Sequence, residues 1–100
     1  MSHKCITINS YHLLGYSREN IELFYDEVEI NLCGGLNSRF GRNYDALFDL
    51  FSGNFGILRN ANSTNRFHIH IRKSRLLEEC VKQYITECNE ENKFIKIFLE

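Results

Sequence analysis

Apolar residues along this chain recur at two periods, and the switches between them divide it into strands and helices. Cys5-Ile6-Thr7-Ile8-Asn9 is β-branched and partly alternating, which predicts a first strand. From Arg18 the spacing changes to three and four, so Ile21, Phe24, Tyr25, Val28 and Leu32 fall on one helical stripe, with Ser17 as N-cap. Gly34-Gly35 predicts the end of that helix, because glycine takes the left-handed backbone common there. After a loop over residues 36–42, a second helix is predicted over 44–52, with Tyr44, Leu47, Phe48 and Phe51 inward. Gly53 and Gly56 close it, and the polar stretch 60–65 predicts a turn that is the most mobile loop of the chain. Residues 66–72 alternate, placing Phe67, Ile69 and Ile71 on one face of a second strand. A third helix over 76–89 carries Leu77, Cys80, Val81, Tyr84, Ile85 and Cys88 on its core side. Residues 94–99 form a third strand. Strands separated by helices imply a parallel sheet with right-handed crossovers, in the order β-α-α-β-α-β.

Composition narrows the class. One hundred residues, 43% of them hydrophobic and 13% aromatic, make a single α/β domain over 1–100 that buries roughly 65% of its unfolded surface. No apolar run approaches the roughly 20 residues of a membrane span. The first six residues lack the apolar segment of a secretory leader, so a cytoplasmic location is expected. Cys5, Cys33, Cys80 and Cys88 form no Cys-x-x-Cys pair. Spacing leaves a disulfide open, but a reducing compartment favours buried free thiols. A net charge of −1 supplies no whole-chain field for nucleic acid or a membrane, so neither is expected as a direct partner.

Catalytic motifs are missing from the sequence. No nucleophile elbow or phosphate loop is present, so an enzyme is not expected. His68 and His70 share a strand face and could offer two metal ligands, yet a stable site needs three or four. A hydrogen-bonded strand face is the better account, and no cofactor is expected. Arg72-Lys73-Ser74-Arg75 reads as the solvated junction of strand and helix, with anion contact as the alternative.

Acidic residues carry more information. Asn43 is positioned to cap the second helix, Asp45 then enters its first turn, and Asp49 follows one turn later on the same side. Like charges at that spacing cost an isolated helix about 0.2–0.5 kcal/mol, so folding gives no reason for the second carboxylate. Glu87, Glu90 and Glu91 crowd the end of the third helix, where the dipole disfavours anions by about 0.3–1 kcal/mol. Lys93 is expected to offset part of this.

The run from Phe40 to Asp49, Phe40-Gly41-Arg42-Asn43-Tyr44-Asp45-Ala46-Leu47-Phe48-Asp49, resembles the barstar family of intracellular ribonuclease inhibitors. That family's most recognisable element is an aromatic-Gly-x-Asn-x-Asp-Ala-Leu-aromatic-Asp run. Ser52-Gly53, Phe24-Tyr25-Asp26-Glu27 and the terminal strand extend the similarity. The resemblance implies a barstar-like fold and a mechanism without turnover, in which an acidic helix and its loop enter a ribonuclease active site as a phosphate mimic. It implies an immunity protein against a toxin nuclease, a monomer that forms a 1:1 heterodimer. Partner-binding residues carried over are Arg39, Phe40, Gly41, Arg42, Asn43, Asp45, Ala46 and Asp49, with Glu87 and Glu91 from the neighbouring helix. Asp49 is the main phosphate mimic, facing the enzyme's arginines and catalytic histidine. Three positions depart from the pattern. Arg39 stands where the family has a second aromatic, Arg42 replaces an acid, and Asn54 replaces an aromatic that Phe55 follows. Arg42 is expected to repel a barnase-like site, which points to a different nuclease or a shifted angle. The alternative from another class is a non-inhibitory module docking a basic protein surface.

Overall fold

The computed structural model describes residues 2–13, 17–36 and 38–100. Position 37 of the predicted 36–42 loop lies outside them. Three strands, β1 (Ser2–Asn9), β2 (Asn65–Arg72) and β3 (Ile95–Leu99), pair in parallel in the order β1-β2-β3. Ile6, Ile69 and Ile97 lie side by side in register, and so do Ile8, Ile71 and Leu99. Three helices interrupt the strands: α1 (Arg18–Leu32), α2 (Tyr44–Phe51) and α3 (Glu79–Glu91). The chain is therefore α/β with a three-stranded parallel sheet. Among the described residues, no helix is long and apolar enough to cross a membrane.

The period-2 pattern of β2 decides which face of the sheet is covered. Phe67, Ile69 and Ile71 are buried and join Ile8, Ile95 and Ile97 under the helices, while the intervening side chains stay half-exposed or exposed. Ser17 caps α1 as expected, its hydroxyl accepting from Asn20 N–H (3.1 Å). Phe24, Tyr25, Val28 and Leu32 are buried, but Ile21 is 38% exposed because the stripe leaves the core at the first turn. In α2 the inward set is Leu47, Leu50 and Phe51. Tyr44 is 38% exposed and Phe48 half-buried, because α2 packs sideways on α3 as well as down on the core. Leu50 was not anticipated.

The third helix starts later than its periodicity predicts. Lys73 adopts a left-handed φ of 57°, Ser74–Leu76 makes one 3-10 turn, and Leu77 is extended, so α3 begins only at Glu79. Leu77 is still buried, and Val81, Ile85 and Cys88 form the inward stripe, whereas Cys80 faces solvent. All four cysteines are free, and only Cys88 is buried; Cys5 and Cys80 are exposed and Cys33 is half-buried. The expectation of buried thiols thus holds for Cys88 alone. Burial pushes the Cys33 thiol up to about 11, which keeps it protonated. Within the polar stretch, Asn62 and Asn65 exchange backbone hydrogen bonds of 3.0 and 3.1 Å, and Asn62 Oδ1 accepts from both N–H and hydroxyl of Thr64 at 2.9 Å.

Gly56 opens a 3-10 turn, Gly56–Asn60, at φ 68°, where a Cβ would stand 2.2 Å from the Leu32 carbonyl oxygen. The end of α1 and the segment after α2 meet there backbone to backbone. Gly56→Ala is expected to lower stability by about 1–3 kcal/mol, through backbone strain and overpacking. Urea unfolding would measure it; an unchanged midpoint would show that the two segments can part at no cost.

Candidate functional site

Helix α2 is short, so its ends matter more than its propensity. Asn43 takes an extended backbone, and its Oδ1 accepts from Ala46 N–H at 2.8 Å. Replacing that cap, Asn43→Ala, is expected to cost about 0.5–2 kcal/mol, read as a lower unfolding midpoint and faster amide exchange at Ala46. A loss confined to partner binding would contradict the capping role. Asp45 falls in the first turn and Asp49 one turn on, and both are exposed. Neither carboxylate makes an ion pair or hydrogen bond among the described residues. They stand as the sequence places them, side by side and facing outward.

A stack of rings packs α2 against α3, the helix that carries the second acidic group. Tyr44 stacks on Phe48 (centroids 6.0 Å), and Phe48 stacks on Tyr84 of α3 (4.2 Å, 19° between planes). The Tyr84 hydroxyl donates to the Phe48 carbonyl at 3.2 Å and shares a short hydrogen bond with Ser52. Glu87 and Glu91 lie on α3 at three and seven residues beyond Tyr84, both exposed, as is Glu90. Glu91 and Ser52 line one surface depression, which ties the end of α3 to the end of α2. The unfavourable dipole at this end is relieved by Lys96, whose ammonium donates to the Asn89 carbonyl at 2.6 Å; Lys93 is exposed. Asn89 itself bonds both the N–H and the carbonyl of Ile97 at 2.8 Å, clamping α3 onto the edge strand.

Arg42, expected at the partner-binding surface, is engaged within the chain. It sits in the left-handed region (φ 54°) and turns its guanidinium back onto α1. Nε donates to Glu29 Oε1 at 2.5 Å, Nη1 to Glu22 and Nη2 to Asp26. Three carboxylates around one guanidinium leave two net negative charges. The hydrogen bond to Asp26 does most to raise the Arg42 pKa; burial opposes it, and Glu29 and Glu22 add to the rise. Glu29 is 2% exposed. Burial pushes its carboxyl up, but the Ser38 hydroxyl (2.8 Å), Arg42 and the Ser38 N–H (3.2 Å) outweigh that and hold it below the usual range. The loop entering α2 is thus fastened to α1 by a fork that sequence reasoning missed. The signal was present: Glu22, Asp26 and Glu29 at i, i+4 and i+7 occupy one helical face.

Between loop and helix lies a notch of ≈ 170 Å³ lined by Arg39, Phe40, Gly41, Ala46, Asp49, Asn54 and Phe55. Five of the ten predicted site residues therefore share one concavity, with Asp49 and Arg39 as its charged groups. Phe40 is buried as its floor, its ring 6.4 Å from Phe55 and 5.7 Å from Tyr25. A Cβ on Gly41 would press to 3.3 Å from Ala46 Cβ, so a side chain there would narrow the notch. Asn43 and Asp45 lie at the start of α2, Glu87 and Glu91 on the adjoining helix, and Arg42 in the loop before α2 with its guanidinium against α1. His68 and His70 are elsewhere, on the uncovered sheet face. Among the described residues no three metal-capable side chains gather. No family model matches the chain, and no curated protein or solved structure matches it.

Proposed function

We propose that this chain is a barstar-like inhibitor that binds a ribonuclease 1:1 and blocks its active site without turnover, as an immunity protein against a toxin nuclease in the cytoplasm. The reading rests on one observation above all. Asp45 and Asp49 stand exposed and unneutralised on a capped helix that is locked to its neighbour by stacked rings. Carboxylates held in place this way meet arginine with little new ordering entropy. A ribonuclease cleft is cationic because it must hold phosphates. Glu87 and Glu91 extend the same anionic ledge. The resemblance of the Phe40–Asp49 run supports the assignment, and the β-α-α-β-α-β order and parallel sheet agree with the fold it implies.

Arg42 bears on target choice in an unexpected way. Its charge is taken up by Glu22, Asp26 and Glu29, so the repulsion expected of a free cation in this loop is largely cancelled. Arg39 remains exposed at the notch and has no ion pair among the described residues. It selects for a partner with an acid near its cationic cleft.

The direct test is co-expression with ribonuclease toxin domains in growing cells, scored by survival, followed by purification of the complex. Protection by a stoichiometric 1:1 complex is expected. Capture of a basic protein without nuclease activity, and rescue from no ribonuclease, would sink the inhibitor reading in favour of a docking module.

A further inference from the structure

Parallel sheets are normally covered on both faces. Here the helices cover one, and the other presents Cys5 and Thr7 from β1, Arg66, His68, His70 and Arg72 from β2, and Phe98 from β3. Phe98 is 42% exposed. His70 stacks on it (centroids 4.8 Å, 16°), and His68 meets it edge-on at 5.5 Å. The Arg66 guanidinium lies 5.8 Å from the Phe94 ring at the amino end of β3. At the opposite end of the strands, where open parallel sheets receive ligands, Arg72, Lys73, Ser74 and Arg75 line an open depression of ≈ 530 Å³ with Glu100. The two motifs that the inhibitory site leaves unused, the His68/His70 pair and the basic Arg72–Arg75 run, are therefore one continuous surface.

Charge says what this surface fits. Arg66 stands at the amino end of the face, and at its other end Arg72, Lys73 and Arg75 share their depression with a single carboxylate, Glu100, which His70 Nδ1 engages at 2.8 Å. The patch carries three net positive charges on a chain whose total is −1, so the even balance of the sequence conceals two segregated surfaces. A second copy docked face to face through this patch would bring like charge to like. We propose that the uncovered sheet face binds single-stranded nucleic acid, with Phe98 as stacking platform and Arg72, Lys73 and Arg75 holding phosphates. A flat sheet suits an extended strand whose bases are free to stack, and rings recognise bases where an acidic peptide offers none.

The test is fluorescence anisotropy of a labelled ten-nucleotide oligoribonucleotide titrated with the whole chain at two salt concentrations. Binding is expected to weaken with a log–log salt slope of about −2, as three phosphate contacts to a single strand require. Phe98→Ala, at an exposed site, is expected to weaken binding by about 5- to 100-fold with the slope unchanged. The pair Arg72→Ser and Arg75→Ser should flatten the slope by about 1.4. Circular dichroism of each variant separates lost binding from lost fold. No saturation up to roughly 100 μM at low salt would overturn the proposal. Equal binding of an acidic peptide or duplex, insensitive to Phe98→Ala, would reduce the face to a general polyanion contact and overturn it as well.

Discussion

Asp49→Ala is expected to weaken binding to the proposed ribonuclease partner by about 2–5 kcal/mol, roughly a 30- to 5,000-fold rise in Kd, without loss of fold. The size follows from the surroundings. The Asp49 carboxylate has no ion pair or hydrogen bond among the described residues, so its removal costs the chain nothing in the unbound state. In the proposed complex its removal would leave the enzyme's cations buried and unpaired. The change should appear mainly in the dissociation rate, because a desolvated pair resists separation, whereas rim charges act on the association rate. Glu90→Ala serves as the comparison: at the edge of the ledge it should cost less than about 1 kcal/mol. Calorimetry on the purified pair, with growth protection alongside, measures both. If Asp49→Ala binds and protects like the parent against a ribonuclease that the parent does inhibit, the interface has been put on the wrong helix.

Removing the guanidinium of Arg42 has a different consequence, one of stability before binding. Arg42→Ala is expected to cost about 3–5 kcal/mol at neutral pH, because Glu29 stays buried with only Ser38 to satisfy it. The sign of the pH dependence distinguishes this from a packing loss. In the parent the Glu29 carboxyl lies below its ordinary value of 4.5, so its contribution is complete above that pH and is lost as pH falls through the folded value. Without Arg42 the effect of burial dominates, the carboxyl moves up, and the variant loses stability as pH rises. The gap between the two proteins should therefore close towards pH 4 and open towards pH 7 in urea unfolding. Adding Glu29→Gln to Arg42→Ala should recover a large part of the loss at pH 7. A gap of the same size at every pH would mean that Arg42 acts through its aliphatic stem.

Local sequence and long-range contacts divide the work of specifying this protein clearly. The caps at Ser17 and Asn43, the outward pair Asp45 and Asp49, and the alternation through Phe67, Ile69 and Ile71 were legible because each depends on neighbours within about four residues. Periodicity within one helix could not say how that helix leans on another. Hence Ile21 and Cys80 turned out exposed, and Leu50 rather than Tyr44 faces inward. The late start of α3 rests on the left-handed Lys73, a conformation that no hydrophobic spacing encodes.

The sequence by itself determined an α/β chain and a helix bearing two outward carboxylates, the second of which has no folding role. Tertiary structure alone decided that Arg42 would be spent inside the molecule, that α3, which carries Glu87 and Glu91, would pack on α2, and that basic charge would gather on an uncovered sheet. Those outcomes join residues 13 to 30 or more positions apart. Pairings of that kind are set by how helices and strands close over a shared core, and local propensity carries no record of them.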